Sequence, residues 1–144
     1  MTDAIRVDVV DDKDEAFIAA TLDILDRTAT AIGKPFDGCD LQIRADDDNG
    51  ELVGGLFARE IQGWLFVKYL AVAEAARNRG IGARLLSKAE MEAKRLGLAG
   101  VYLDTFSFQA PRFYLRAGYV EIGRLPETEG RPARIWFAKT FEKD

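Results

Sequence analysis

The segment Arg77-Asn78-Arg79-Gly80-Ile81-Gly82-Ala83 gathers residue types that can hold a phosphate. It follows a β-rich run and opens an amphipathic stretch. The first turn of a helix presents unpaired backbone N–H groups and the positive end of the helix dipole. Glycines let that backbone approach a bulky anion closely. Arg77, Arg79 and Arg84 crowd the same place, and no acidic residue lies between Glu74 and Glu90. Cations at a helix N-terminus are unfavourable by up to ~1 kcal/mol each. In a chain of formal net charge −4, such a cluster implies an anionic ligand, with the segment as a pyrophosphate cradle. The plainer alternative is a solvated turn whose glycines serve packing. A Rossmann fingerprint needs a third glycine where Leu85 stands, and a P-loop needs Gly-Lys-Ser/Thr. The pattern present is Arg-x-x-Gly-x-Gly.

Other chemistry is bounded by what the chain lacks. It has no histidine and one cysteine, Cys39. A Ser-His-Asp triad, a Cys-His pair and the common zinc sites are therefore excluded. Only an all-oxygen site for a hard cation is left. Asp46-Asp47-Asp48-Asn49-Gly50 has oxygen ligands but not the EF-hand spacing, and reads as a solvated turn. Tyr114, beside Phe113, is on spacing alone either a core aromatic or a functional hydroxyl; adjacent helical residues point about 100° apart. Trp64 and Trp136 read as core or interface anchors. The acids from Asp11 to Asp40 form either a solvated face or the lining of a site for a cationic amine.

The elements that must position these residues follow from periodicity. Ile5, Val7 and Val9 alternate with Arg6 and Asp8 and predict a short strand. Asp11 to Glu15 is an acidic helix start, and Phe17, Ile18, Leu22, Leu25 and Ile32 recur at helical spacing until Gly33 and Pro35. Leu41, Ile43 and Ala45 predict a strand, Asn49-Gly50 a hairpin turn, and Glu51 to Glu60 and Trp64 to Val72 two strands around Gln62-Gly63. A helix runs from Gly80 to Gly97 with Ile81, Leu85, Leu86, Ala89 and Leu96 on its apolar face and Glu90–Lys94 as an i,i+4 pair. Val101 to Phe106 is β-rich. Pro111 starts a short helix that stops at Gly118. Tyr119 to Gly123 and Ile135 to Phe141 are strands. Hairpins first and strand-helix-strand units after predict an α+β (mixed α/β) fold, a mixed sheet with packed helices.

Leu70-Ala71-Val72, Glu74, the Arg77–Gly82 segment and Leu85-Leu86 together resemble the acetyl-CoA signature of the GNAT N-acetyltransferase superfamily. Ala110-Pro111-Arg112-Phe113-Tyr114-Leu115-Arg116-Ala117-Gly118-Tyr119 resembles its second signature, and Thr105-Phe106-Ser107-Phe108-Gln109-Ala110 one bacterial branch. The resemblance spans essentially the whole chain. It implies a twisted mixed sheet of about six to seven strands with helices on both faces, splayed between the strand ending near Val72 and the strand starting at Val101. Acetyl-CoA is the implied cosubstrate, without a metal. Leu70, Ala71 and Val72 would hold the pantetheine and polarise the thioester. Arg77, Asn78, Arg79, Gly80, Ile81, Gly82 and Ala83 would hold the pyrophosphate. Tyr114 would protonate the departing thiolate. Ser107 stands where many members carry a cofactor-contacting asparagine, and Lys68 near the place of an acid that helps deprotonate the amine. Asp104, Glu60 or a water chain are then the candidate bases.

The expected protein is a single domain over 1–144, cytoplasmic, with no nucleic-acid or membrane partner and with homodimerisation open. Its expected activity is acetyl transfer from acetyl-CoA to a primary amine of a small molecule or peptide by direct attack in a ternary complex. The alternative is a non-catalytic acyl-CoA sensor or assembly module of the same fold. A flavodoxin-like nucleotide binder is disfavoured by the early hairpins.

Overall fold

The computed structural model describes residues 4–142, and their contacts fall into two compact units, one ending at Phe36 and one beginning at Asp37. In the first unit, helix α1 spans Glu15–Ala31. Asp14 is its N-cap, accepting from the Phe17 N–H at 3.0 Å, and Gly33 closes it in the left-handed region at φ +76°. None of its residues is buried. The strand expected over Ile5 to Val9 does not form: that stretch is irregular, and Ile5, Val7 and Val9 are 83–92 % exposed. Alternation makes a strand only where a neighbouring strand completes the ladder, and no described strand pairs there. Among the described residues no helix is long and apolar enough to cross a membrane.

The second unit is a six-stranded sheet in the order β1-β2-β3-β4-β6-β5. Its strands are β1 (Asp40–Asp46), β2 (Leu52–Ile61), β3 (Trp64–Val72), β4 (Gly100–Phe106), β5 (Val120–Leu125) and β6 (Arg134–Thr140). Every neighbouring pair is antiparallel except β3 and β4. Two turns set the first meander. Asp47 folds its carboxylate onto the N–H groups of Asn49 (2.9 Å) and Glu51 (3.0 Å), so this acid helps build the hairpin turn itself. Gln62 (φ +49°) and Gly63 (φ +89°) both take positive φ, as a two-residue hairpin of matching twist requires.

A 3-10 turn at Glu74–Ala76 leads into helix α2 (Ile81–Arg95), and helix α3 (Pro111–Arg116) joins β4 to β5. Leu85, Leu86, Ala89 and Ala93 recur at helical spacing and bury α2 against Leu56, Ala58, Leu65, Val67, Val101 and Leu103 of the sheet. Gly54 lets α2 lie that close: a Cβ there would stand 3.2 Å from both Ile81 Cγ2 and Leu85 Cδ1. Tyr114, Tyr119, Ile135 and Phe137 complete the core. Trp64 and Trp136 are half-buried; Trp64 meets Tyr102 edge-on with ring centroids 6.3 Å apart.

Gly100 begins β4 opposite Thr140. A Cβ there would collide with the Lys139 carbonyl oxygen and sit 2.8 Å from Trp64 Cζ3. Gly100→Ala should therefore destabilise by about 1–3 kcal/mol, the usual range for overpacking. Thermal unfolding checks this, and an unchanged midpoint would mean the strand start has room that this packing denies it.

Candidate active site

The site begins where the sheet opens. β3 and β4 share only three parallel pairs, Leu65↔Val101, Phe66↔Tyr102 and Val67↔Leu103. On the other side of β3 the register with β2 shifts between Phe57↔Tyr69 and Ala58↔Val67. Lys68 is thus an extra residue on β3, a bulge that stands in neither register, and such a bulge bends and twists its strand. Beyond it β3 runs on to Val72 and β4 to Phe106 without pairing each other. Leu70, Ala71 and Val72 form one arm of the opening; Leu70 and Val72 are half-buried against the core and Ala71 is exposed. Asp104, Thr105 and Phe106 form the other. Lys68 is exposed, its Nζ 5.5 Å from the Tyr69 ring centre.

The glycine segment lies just beyond the β3 arm. Asn78 (φ +65°) and Gly80 (φ +74°) take left-handed conformations that turn the chain into α2. Gly80 is the N-cap, and no side chain caps the turn. The Arg84 N–H makes the first bond back, to the Gly80 carbonyl at 3.1 Å. The N–H groups of Ile81, Gly82 and Ala83 precede that bond and are the orphans of a helix start. Helix α1 uses Asp14 for this purpose; α2 has glycine and arginines. Arg77 Nε donates to the Val72 carbonyl at 3.3 Å, tying the segment to the end of the arm. Arg79 and Arg84 line a groove of about 660 Å³ with the β1–β2 turn. A Cβ on Gly82 would lie 3.7 Å from Val72 Cγ2 and 3.5 Å from Phe113 Cζ, so the helix start touches both the arm and α3. This backbone fits a pyrophosphate: uncapped donors, positive charge around them and no side chain in the way.

α3 is launched by a tight turn. Gln109 Oε1 accepts from the Phe106 N–H at 2.9 Å and from the Thr105 hydroxyl at 3.3 Å. Ser107, exposed in that turn, gives its backbone N–H to the Ala133 carbonyl at 2.9 Å. Phe113 and the adjacent Tyr114 then diverge. Phe113 goes to Gly82 and Val72. Tyr114 is 7 % exposed, its ring among Phe113 (5.0 Å), Phe137 (5.9 Å) and Tyr119 (6.0 Å). Its ring is core, while no described residue hydrogen-bonds its hydroxyl. No fully buried side-chain polar atom among the described residues lacks a partner, so that hydroxyl reaches solvent. Burial, then the nearby Asp104 charge, pushes the Tyr114 hydroxyl up to about 12.

The two candidate acids separate. Glu60 Oε1 accepts from the Gly63 N–H at 3.0 Å and caps the β2–β3 turn at the closed end of the ladder. Asp104 is one residue past the last ladder pair, on the opening. Arg134 binds its Oδ1 through Nε at 2.8 Å, and the guanidinium rests over the Trp136 (4.9 Å) and Phe106 (5.6 Å) rings. Arg134 was not legible as a partner because it lies 30 residues away and meets Asp104 only through β4–β6 pairing. The expected Glu90–Lys94 pair is replaced. Glu90 gives one oxygen to the Tyr119 hydroxyl and the other to Lys139, both at 2.9 Å, while Lys94 lies over Phe141 at 5.2 Å. A buried carboxylate favours buried donors over an exposed i,i+4 partner worth only tenths of a kcal/mol, about 0.2–0.5. Among the described residues no cluster of His, Cys, Asp or Glu is suited to a metal ion.

The chain is similar to known proteins over most of its length. The family described as "Acetyltransferase (GNAT) family" matches residues 8–119. An acetyltransferase of Agrobacterium fabrum is 39 % identical over 105 residues, 73 % of this chain and 77 % of its own. A blasticidin-S acetyltransferase of Streptomyces morookaense is 41 % identical over 81 residues, 56 % of this chain and 60 % of its own. The crystal structure of a proposed acetyltransferase from Agrobacterium tumefaciens superposes with a TM-score of 0.87 at 34 % identity, covering 95 % of this chain and all of that one. With the sheet opening, the uncapped helix start and these similarities together, the chain belongs to the GNAT acetyltransferase family.

Proposed function

We propose that this protein is an N-acetyltransferase that carries an acetyl group from acetyl-CoA to a primary amine of a small molecule or peptide, by direct attack in a ternary complex. One observation carries the reading: at Gly82 the uncapped start of α2, the end of the β3 arm and the helix bearing Tyr114 all meet. A phosphate cradle and a positioned hydroxyl therefore share one opening.

Acetyl-CoA supplies the acetyl group as an activated thioester. The Arg77–Ala83 segment holds its pyrophosphate, with Ser107 as a further polar contact and the Leu70–Val72 backbone along the pantetheine. The acceptor attacks as a neutral amine. Of the two candidate acids Asp104, paired with Arg134, is the one on the opening and so the better placed to receive its proton; Glu60 lies at the other end of the ladder. Tyr114 Oη donates a proton to the departing sulfur. A hydroxyl held at about 12 is fully protonated at neutral pH, as an acid must be.

Two experiments test this. Calorimetry should show acetyl-CoA binding, and Gly82→Asp should abolish it by placing a carboxylate where the phosphates lie, while Gly82→Ala, whose Cβ meets only ordinary contacts, should keep it. Binding retained in Gly82→Asp removes the cradle. An acceptor screen by release of the coenzyme thiol should start with blasticidin S, given the relative of that name, and extend over amines and peptides. With the acceptor found, Tyr114→Phe should keep acetyl-CoA binding and lower kcat at least ~10-fold, within the usual range of general acid catalysis. The wild-type kcat should not fall through loss of this acid as pH rises to 10, because the group deprotonates only near 12. Acetyl-CoA binding with no acceptor turned over would favour a sensor, the reading that Lys68 at the bulge supports.

A further inference from the structure

Among the described residues outside the opening, Glu90, Tyr119 and Lys139 form a part-buried polar cluster. Glu90 projects from the third turn of α2, and its side chain is 13 % exposed. Its Oε2 accepts from Tyr119 Oη and its Oε1 from Lys139 Nζ, each at 2.9 Å. Lys139 comes from β6 and also donates to the Ala117 carbonyl at 3.0 Å, the C-cap of α3. A cation at that end suits the helix dipole. Lys139 passes beside Gly118, which takes φ +93°: a Cβ there would lie in ordinary contact, 3.6 Å from Lys139 Cε. The Tyr119 N–H returns to the Tyr114 carbonyl at 3.0 Å, and the two rings stand edge to face.

α3 has six residues and makes few internal bonds. Helices that short are not stable alone, so its placement comes from its anchors. Two of these lead to α2, beside the packing of the Tyr114 ring on Phe137 and the Gln109 turn before the helix. Phe113 abuts Gly82 at the helix start. Tyr119 and Ala117 are fastened to Glu90, directly and through Lys139, two turns further along the same helix. Tyr114 lies between the anchors. Its ring packs on Phe113, Phe137 and Tyr119, and no described residue holds its hydroxyl by a hydrogen bond. The direction of that hydroxyl is therefore set by the packing of its ring and by where the anchors put the backbone, and Tyr119 takes part in both.

We infer that Glu90, with Lys139 and Tyr119, is a positioning device that fixes the Tyr114 hydroxyl relative to the phosphate-binding start of α2. This rests on the reading of Tyr114 as the proton donor. The three residues touch neither substrate nor reacting atoms; they act through the placement of α3. Displacing a reacting group by about 1 Å can cost up to ~10²-fold in rate.

A double-mutant cycle tests this. Glu90→Gln removes the charge that holds Lys139, and Tyr119→Phe removes only the hydroxyl contact while keeping the ring. Each is made with Tyr114 present and with Tyr114→Phe. Glu90→Gln should lower kcat ~10-fold at an unchanged Kd for acetyl-CoA, and Tyr119→Phe should lower it less. In the Tyr114→Phe background both effects should fall below ~2-fold, because the group being positioned is gone. Equal losses in both backgrounds, or a parallel loss of acetyl-CoA binding, would make the cluster merely structural and overturn the inference. Should Glu90→Gln fail to fold, Tyr119→Phe carries the same cycle. If Tyr114→Phe itself leaves kcat unchanged, the proton-donor reading fails instead, and the two failures are distinct. A readout independent of turnover is tyrosine ionisation by absorbance, with Tyr114 assigned by difference from Tyr114→Phe. Glu90→Gln should bring its ionisation down from about 12 towards 10 as α3 loosens; no movement would count against the inference.

Discussion

Three parallel residue pairs join the two halves of the sheet, and the rest of the site depends on their being so few. Leu65, Phe66 and Val67 pair with Val101, Tyr102 and Leu103, and the ladder then stops at the Lys68 bulge. A longer ladder would close the opening with backbone hydrogen bonds. A shorter one would leave β4, β5 and β6 attached to the meander only through α2. Paired Val67 and Leu103 are buried in the core with α2, and Leu70 and Val72 of the opening's arm pack against that same core. The backbone of the β3 arm is left available to something other than a neighbouring strand.

Close approach is the second constraint, and it is met by removing side chains. Gly54 lets α2 settle onto β2, Gly80 supplies a left-handed cap, and Gly82 leaves the first turn beside Val72 and Phe113 free of a side chain. The result is a helix start with neither a capping side chain nor an acidic residue, beside arginines that its own dipole disfavours. An anion resolves both deficits at once. The same electrostatics support the proposed cradle without reference to any relative.

Tyr114 joins a packed ring to a hydroxyl that no described residue hydrogen-bonds. Its ring is held by three aromatic neighbours, and the same burial that stabilises the ring disfavours the phenolate. Tyr119 is pushed up further still, by burial and by its bond to the Glu90 carboxylate. The two tyrosines differ in what their hydroxyls meet: Tyr119 is spoken for, Tyr114 is not. The sign of the linkage is the same for both. Raised values mean the fold favours the protonated form, a contribution present below the ordinary tyrosine value and lost as pH rises through the folded one.

The sequence by itself determined the local elements and the chemistry they could carry. Hairpin turns at Asn49-Gly50 and Gln62-Gly63, the two later helices with their glycine and proline boundaries, and the cationic helix start all follow from short-range rules, because each depends on residues within a few positions of one another. Tertiary structure decided what those elements meet. Ile5 to Val9 has the alternation of a strand and is not one, because no strand lies alongside to complete it. Glu90 has an i,i+4 lysine and ignores it, because Tyr119 and Lys139 arrive 29 and 49 residues later with better-buried donors. Asp104 became distinguishable from Glu60 only when the ladder's open and closed ends were known, and Arg134 became its partner only through the β4–β6 register. Pattern along the chain reports secondary structure, whereas the environment of a charge is set by residues that folding brings from elsewhere.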